Sequence, residues 1–253
     1  MTVVLWHIEV SHYNEKVRWA LDYKGIPHVR KAPLPGFHGF YALALTRGAQ
    51  RRFPVLALDG RRIGDSTAII AALEEYRPEP PLYPAGPGER ARALDLEDFF
   101  DEELAPSLRR FVFHHMLDDP DAVLDAVFRE RDSRRARVMR RLGPVFAIGV
   151  RRDYGIAEES AVRALSDIRA AMDRLEREIQ PSGYLVGDRF SVADLTAAAL
   201  FTPLLSPPGR QYAPPTLTPP LLEVREELAA REGGAWVAEM YARHRGSSAE
   251  VAA

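Results

Sequence analysis

The chain has 253 residues, 46% of them hydrophobic and 28% charged, with a formal net charge of −2; this is the profile of an ordinary soluble globular protein able to bury a core in one large or two modest domains. Acidic residues are interspersed through most of the arginine-rich runs, so no basic face for nucleic acid is implied, and no run approaches the ~18 consecutive apolar residues of a membrane span. The absence of cysteine excludes disulfides, thiolate-ligated zinc and any mechanism that uses a thiol of the protein's own.

Met1 leads into a strand pattern without a basic segment before it, so the expected location is the cytoplasm. Residues 2–8, TVVLWHI, have the β-branched and aromatic content of a buried strand. After the polar loop Ser11-His12-Tyr13-Asn14, the residues Val17, Ala20, Leu21 and Lys24 step at helical spacing, and Gly25 with Pro27 ends that helix. HVRKAPL is a second strand, followed by a loop containing Gly36, Gly39 and Gly48. VLAL and RRI flank Asp59-Gly60, a hairpin signal, and Thr67 to Tyr76 carries Ile69, Ile70 and Leu73 on a helical stripe. The order is βαβ, a connection, then ββα. RPEPPLYPAGPGER, residues 77–90, is a proline-rich break.

Beyond it helical periodicity dominates. The run from Ala91 to His115 reads as one long helix or a helix bent at Pro106, and PPGRQYAPPTLTPP reads as a surface loop. One or two closing helices lie around Leu221–Arg231 and Trp236–Arg243, and the last eight residues are expected to fray. The predicted organisation is an α/β domain over residues 1–78, a linker over 79–90 and an all-helical domain over 91–253.

Three features have the residue types of a ligand site, and each also has a plain structural explanation. Pro54 cannot donate to a ladder, so it opens its strand; a cis Phe53-Pro54 bond would also turn the Phe53 backbone outward to pair with an extended peptide. Asp65-Ser66 supplies a helix N-cap, and could equally read an α-amino-acid terminus, with Ser66 on the carboxylate and Asp65 on the ammonium. The Ser11 loop caps the first helix, or its hydroxyl and the helix N-terminus stabilise a bound thiolate.

Strand, loop, helix, then X-Pro at a strand start, then Asp-Ser at a helix start is the N-terminal pattern of the glutathione transferase superfamily, and the chain resembles that family over nearly its whole length. SHYNEKVRWALDYKGIP resembles its first-helix motif, FPVL its cis-proline strand, GDSTAII its acidic-Ser motif and PLYP its linker. YLVGDRFSVADLTAAALF resembles its second-domain signature, in which Ser191 and Asp194 form a capping box stapled by Phe190 and Leu195, a structural role.

The resemblance implies a thioredoxin-like domain that binds glutathione as cosubstrate, with no tightly bound cofactor, and an all-helical domain that holds a small electrophile. It implies that Phe53, Pro54, Asp65 and Ser66 bind glutathione and that Arg52 reaches its glycyl carboxylate. Ser11 takes the catalytic serine or cysteine position, and Asn14, where related motifs carry cysteine, is an amide donor to the thiolate. His7, Phe100, Phe111 and His114 are candidates for the acceptor pocket, although aromatics at helical spacing are ordinarily core. His114 and His115 point about 100° apart on a helix and cannot chelate one metal together, so no metal is expected. A homodimer without nucleic-acid or membrane partners is implied by analogy. Conjugation, isomerisation and peroxide reduction stay open, as does a thiol other than glutathione; the competing reading is a non-catalytic module that binds a thiol, an apolar ligand or a protein partner.

Overall fold

The computed structural model describes residues 3–33, 37–119, 147–212 and 216–252. Four short strands, β1 (Val3–Trp6), β2 (His28–Lys31), β3 (Val55–Leu58) and β4 (Arg61–Gly64), form one sheet in the order β2-β1-β3-β4. β2 lies parallel to β1, and β3 and β4 are antiparallel additions, with Trp6 opposite both Lys31 and Val55 and Val55 opposite Gly64. The hairpin turns at Asp59 and Gly60, both at positive φ (47° and 79°), the geometry for which Asp-Gly is suited.

Helix α1 (His12–Tyr23) connects β1 to β2, and α3 (Ser66–Tyr76) follows β4. α1 is buried nearly all round rather than along the single stripe suggested by Val17, Ala20 and Leu21. It is a hinge-pin between the sheet domain and the helical domain, and its charged residues face partners on both sides. Lys16 meets Glu97 at 2.8 Å and Asp101 at 2.7 Å across the domain boundary. Glu15 and Asp22 are shared between Arg18, Arg30 and Arg245.

One element escaped the sequence reading: α2 (His38–Leu45) occupies the connection expected to be a loop. Only Ala42 in it is buried, and Phe40 and Tyr41 are exposed, so no apolar stripe marks it. The helical region starts with α4 (Pro87–Phe99), whose first residue uses proline where no N–H is needed. A π-helical turn at Phe100–Leu104 joins it to α5 (Ala105–Met116). The wider turn ends two residues before Pro106, whose ring and missing N–H disrupt a regular ladder, so the expected bend is realised as a π-bulge.

Residues 147–154 are helical, followed by α6 (Glu158–Glu178), α7 (Val192–Leu200), α8 (Thr202–Leu205), α9 (Pro219–Ala229) and α10 (Glu232–His244). α7 is wholly buried, and Asp194 caps it by accepting from the Ser191 N–H, the Ser191 hydroxyl and the Leu185 N–H, each at 2.8 Å. Phe190 packs on Trp19 and Tyr23, tying this cap to α1.

One expectation about the C-terminal part is overturned. Residues 249–251 do not fray, because the Val251 N–H donates to the His28 carbonyl at 2.9 Å and Glu250 bridges β2, so they cover an otherwise open sheet edge. The segment after α8, of which residues 213–215 lie outside the described residues, is a loop, and two of its side chains reach back to the N-terminal domain. Arg210 donates to the Val10 carbonyl at 3.1 Å and Gln211 donates to Asp22 at 2.9 Å, so it folds back against the N-terminal domain. Among the described residues no helix is long and apolar enough to cross a membrane.

Candidate functional site

The sheet register brings the three sequence features together. Trp6 ends β1, Val55 starts β3 and Gly64 ends β4, and the three are mutually aligned, so the Ser11 loop, Phe53 and Asp65-Ser66 all emerge at one end of the sheet.

Ser11 is the N-cap residue of α1 in extended conformation (φ −75°, ψ 129°), half-buried, and its side chain makes no capping hydrogen bond. The N–H groups of the first helical turn and the hydroxyl are therefore not spent on each other. The loop is held from behind by Arg18, whose guanidinium donates to the carbonyls of Ile8 (3.2 Å) and Glu9 (3.0 Å) and to Glu15 (2.7 Å). Burial pushes the Glu15 carboxyl upward, but Arg18 and Arg245 outweigh it and hold it down at about 2.

Asn14 is fully buried and bridges two of the three features. Its Oδ1 accepts from the Ile8 N–H at 3.2 Å, and its Nδ2 donates to the Phe53 carbonyl at 3.4 Å. The amide is thus engaged within the protein, locking the Ser11 loop to the strand that opens β3. The Phe53-Pro54 bond is cis, and Phe53 and Pro54 are both buried. Asp65 has φ 73° and ψ 132° and caps α3 through the Ala68 N–H at 3.1 Å, leaving Ser66, 3% exposed, as the first helical residue. That positive φ in a non-glycine residue is the kind of backbone strain found at ligand sites.

Arg52 is exposed, with its guanidinium 5.4 Å from the centre of the Tyr154 ring. It lines a groove of about 260 Å³ between α2 and residues 153–154, together with His38, Arg51 and Tyr154. Tyr154 also receives Arg109 of α5, at 4.3 Å, and Arg109 lies 6.0 Å from the Tyr13 ring.

The acceptor-pocket candidates fall elsewhere. His7 is 2% exposed, its Nδ1 lies 3.0 Å from Arg18, and burial followed by the Arg18 charge lowers it to about 3. Phe100 has no exposed surface and packs edge-on against Phe99 and Phe201. Phe111 is buried against His115, and His114 meets Glu158 of α6 at 3.2 Å. Packing and pairing account for each of the four.

Two arginines that the sequence did not single out lie beside the start of α1. Burial lowers the pKa of Arg109 and of Arg210, in contrast to Arg245, where Glu15 and Asp22 outweigh the same penalty and raise it. His12, 5% exposed, is lowered to about 3 by burial first and then by the charges of Arg109 and Arg210. No spacing rule marks these residues, because α5, the segment after α8 and α1 meet only in the folded chain.

Comparison with known proteins matches this architecture. Residues 5–81 match the glutathione S-transferase N-terminal domain, and residues 122–229 match the glutathione S-transferase C-terminal domain. A maleylacetoacetate isomerase of Rattus norvegicus is 34% identical over 107 residues, 41% of this chain and 49% of that protein. One from Dictyostelium discoideum is 30% identical over 101 residues, 40% of this chain and 43% of that protein. The chain thus spans less than half the length of these curated relatives. A glutathione S-transferase from Methylobacterium radiotolerans, solved in complex with glutathione sulfonate, has TM-score 0.57 and 22% identity, covering 93% of each chain. Beta-etherase LigF from Sphingobium has TM-score 0.59 and 21% identity, covering 94% of this chain and 99% of that one. With both domains matched in order along most of its length, on a thioredoxin-like sheet joined to a helical region, this chain belongs to the glutathione S-transferase superfamily.

Proposed function

We propose that the protein is a glutathione transferase that binds glutathione across the three loops at one end of the sheet and activates its thiol for attack on an electrophilic carbon. The observation that carries this reading is the Asn14 bridge. One buried amide joins the Ser11 loop to Phe53, placing a helix N-terminus and a serine beside the backbone that would pair with the cysteinyl part of the tripeptide. Asp65 and Ser66, one strand away, would take the γ-glutamyl ammonium and carboxylate, and Arg52 the glycyl carboxylate.

The Ser11 hydroxyl, not engaged in capping, would donate to the sulfur. A free thiol has a pKa of ~8.5, and lowering it by ~2 units takes about 2.7 kcal/mol. A charge-assisted hydrogen bond of roughly 1.5–3 kcal/mol together with a helix terminus of roughly 0.3–1 kcal/mol is of that order. The thiol proton leaves to solvent, the thiolate forms the C–S bond, and the acceptor's leaving group departs with the displaced electron pair. Asn14 acts in this scheme as a positioning residue through one Nδ2 N–H and its Oδ1, and its second Nδ2 N–H is the one that would donate to the sulfur.

The similarity to maleylacetoacetate isomerases favours a second reaction at the same site, isomerisation, in which glutathione would be regenerated. The test is steady-state kinetics of Ser11→Ala. The expected result is a fall in kcat of at least ~10-fold with glutathione KM changed by less than about threefold, because the serine acts on the thiolate more than on the bound thiol. A parallel loss of kcat and affinity would make Ser11 a binding residue. Tight glutathione binding with no consumption or isomerisation of any electrophile would favour the non-catalytic module.

A further inference from the structure

Along α1 and its neighbours Lys16, Arg18, Lys24 and Arg245 are buried, the Arg30 side chain is nearly so, and all five are paired: Arg18 with Glu15, Arg30 with Asp22, Arg245 with both, Lys16 with Glu97 and Asp101, and Lys24 with Glu74. Arg109 and Arg210 depart from that pattern. Among the described residues neither has a carboxylate partner. The Nε of Arg109 and the Nε and Nη1 of Arg210 are buried with no hydrogen-bond partner, and among the described residues the Arg210 side chain makes one hydrogen bond, to the carbonyl of Val10 next to Ser11. Between them His12 is 5% exposed, and its Nε2 also lacks a partner. Stacking on Tyr154 and Tyr13 occupies a face of the Arg109 guanidinium but none of its N–H groups. Buried guanidinium groups left without an acceptor are destabilising unless something supplies a negative oxygen.

We propose that Arg109 and Arg210 form a carboxylate-binding subsite at the start of α1, so that the acceptor is an anionic electrophile held by its carboxylate with its reacting carbon turned toward Ser11. The proposal rests on the reading of this end of the sheet as the glutathione site. The planar fork of each guanidinium suits a carboxylate, and two forks from different elements, α5 and the segment after α8, would clamp one from opposite sides. This gives the fold-back of residues 206–212 onto the N-terminal domain a function: it carries one half of the clamp to the catalytic loop. Glutathione's own glycyl carboxylate is assigned instead to the groove at Arg52, which also contacts Tyr154.

The test uses a chlorodinitrobenzoate and its methyl ester as acceptors, where the glutathione sulfur forms a C–S bond and chloride leaves. Arg109→Gln and Arg210→Gln should each raise KM for the benzoate about 10- to 100-fold and leave the ester and glutathione KM within about threefold. Arg109→Lys should recover part of the loss. Equal effects on acid and ester, or a rise confined to glutathione KM, would overturn the proposal, the latter by giving the pair to glutathione. Titration calorimetry of the glutathione-free protein with dinitrobenzoate separates the two readings. Binding that weakens about 10-fold or more in the glutamine variants supports the subsite even if no conjugation occurs, and no heat in the wild-type protein overturns it even if glutathione binds. Thermal unfolding guards against a merely structural role: the midpoint of Arg109→Gln should be unchanged or higher, and a large drop counts against the subsite.

Discussion

At the scale of single residues, Asn14 shows how far a site can be read before the chain is folded. Its place in the Ser11 loop was evident, and so were Ser11, Phe53-Pro54 and Asp65-Ser66, because each is a local pattern tied to a strand or helix end. The role was not, since the acceptor of its amide N–H, the Phe53 carbonyl, is 39 residues away and becomes a neighbour only when β3 pairs with β1. Asn14→Asp is the sharpest variant. It keeps an oxygen for the Ile8 N–H but sets a buried carboxylate against the Phe53 carbonyl. Stability should fall by about 1–3 kcal/mol, the cost of an unsatisfied buried polar group, and glutathione KM should rise about 10-fold with kcat falling too, since both Nδ2 N–H groups are lost. Denaturant titration and steady-state kinetics together check it. An unchanged KM at reduced stability would mean that the bridge holds the fold and not the site. His7 makes the complementary point. A histidine at the end of a buried strand offers the sequence no way to distinguish catalysis from packing, and in the fold its Nδ1 is taken up by Arg18.

At the scale of elements, legibility follows the range of the interactions that define each one. The cap of α7 was readable because a capping box is an i, i+3 pattern, and the hairpin because Asp-Gly sits between two alternating runs. α2 was not, because it buries little and therefore has no periodicity to display. The terminal residues were not, because their partner, the edge of β2, lies more than two hundred positions away. The cap also makes the larger energetic statement. α7 is buried throughout, so no water can take over from Asp194. Asp194→Ala leaves the Ser191 N–H and hydroxyl and the Leu185 N–H without their acceptor and should cost roughly 3–5 kcal/mol. Ser191→Ala removes one donor and should cost about 1 kcal/mol. Urea unfolding of the two variants checks the ratio, and equal losses would mean that the carboxylate matters only through the serine hydroxyl.

At the scale of the whole molecule, the buried charges that fasten the helical domain to α1 make stability depend on pH. Glu15 is held at about 2, below its usual 4.5, so its contribution is complete above pH 4.5 and is lost as pH falls toward 2. His7 and His12 are kept neutral by burial, down at about 3, so the unfolded chain takes up their protons first and stability falls as pH drops from 6.5 toward 3. Asp194 acts in the opposite direction. Burial raises it to about 6 against the pull of its three donors, so the folded chain is protonated first and stability is gained as pH falls from 6 to 3.8. Between pH 6 and 4.5 His7 and His12, together with His28, His38, His115 and His244, which burial also lowers, are partly offset by Asp194 and by Glu97, which burial raises, so the decline is shallower than the histidines alone would give. Below pH 4.5 Glu15 joins the histidines, and below 3.8 the offset ends, so the loss steepens. Unfolding free energies measured in urea at successive pH values should therefore show a shallow decline that turns steep near pH 4.5. Asp194→Asn, which removes the offsetting titration, should make the decline between pH 6 and 4.5 steeper by about one further proton, even though the variant starts from a lower stability. A slope in that window unchanged by the substitution would mean that Asp194 stays ionised in the fold, its three hydrogen bonds outweighing its burial.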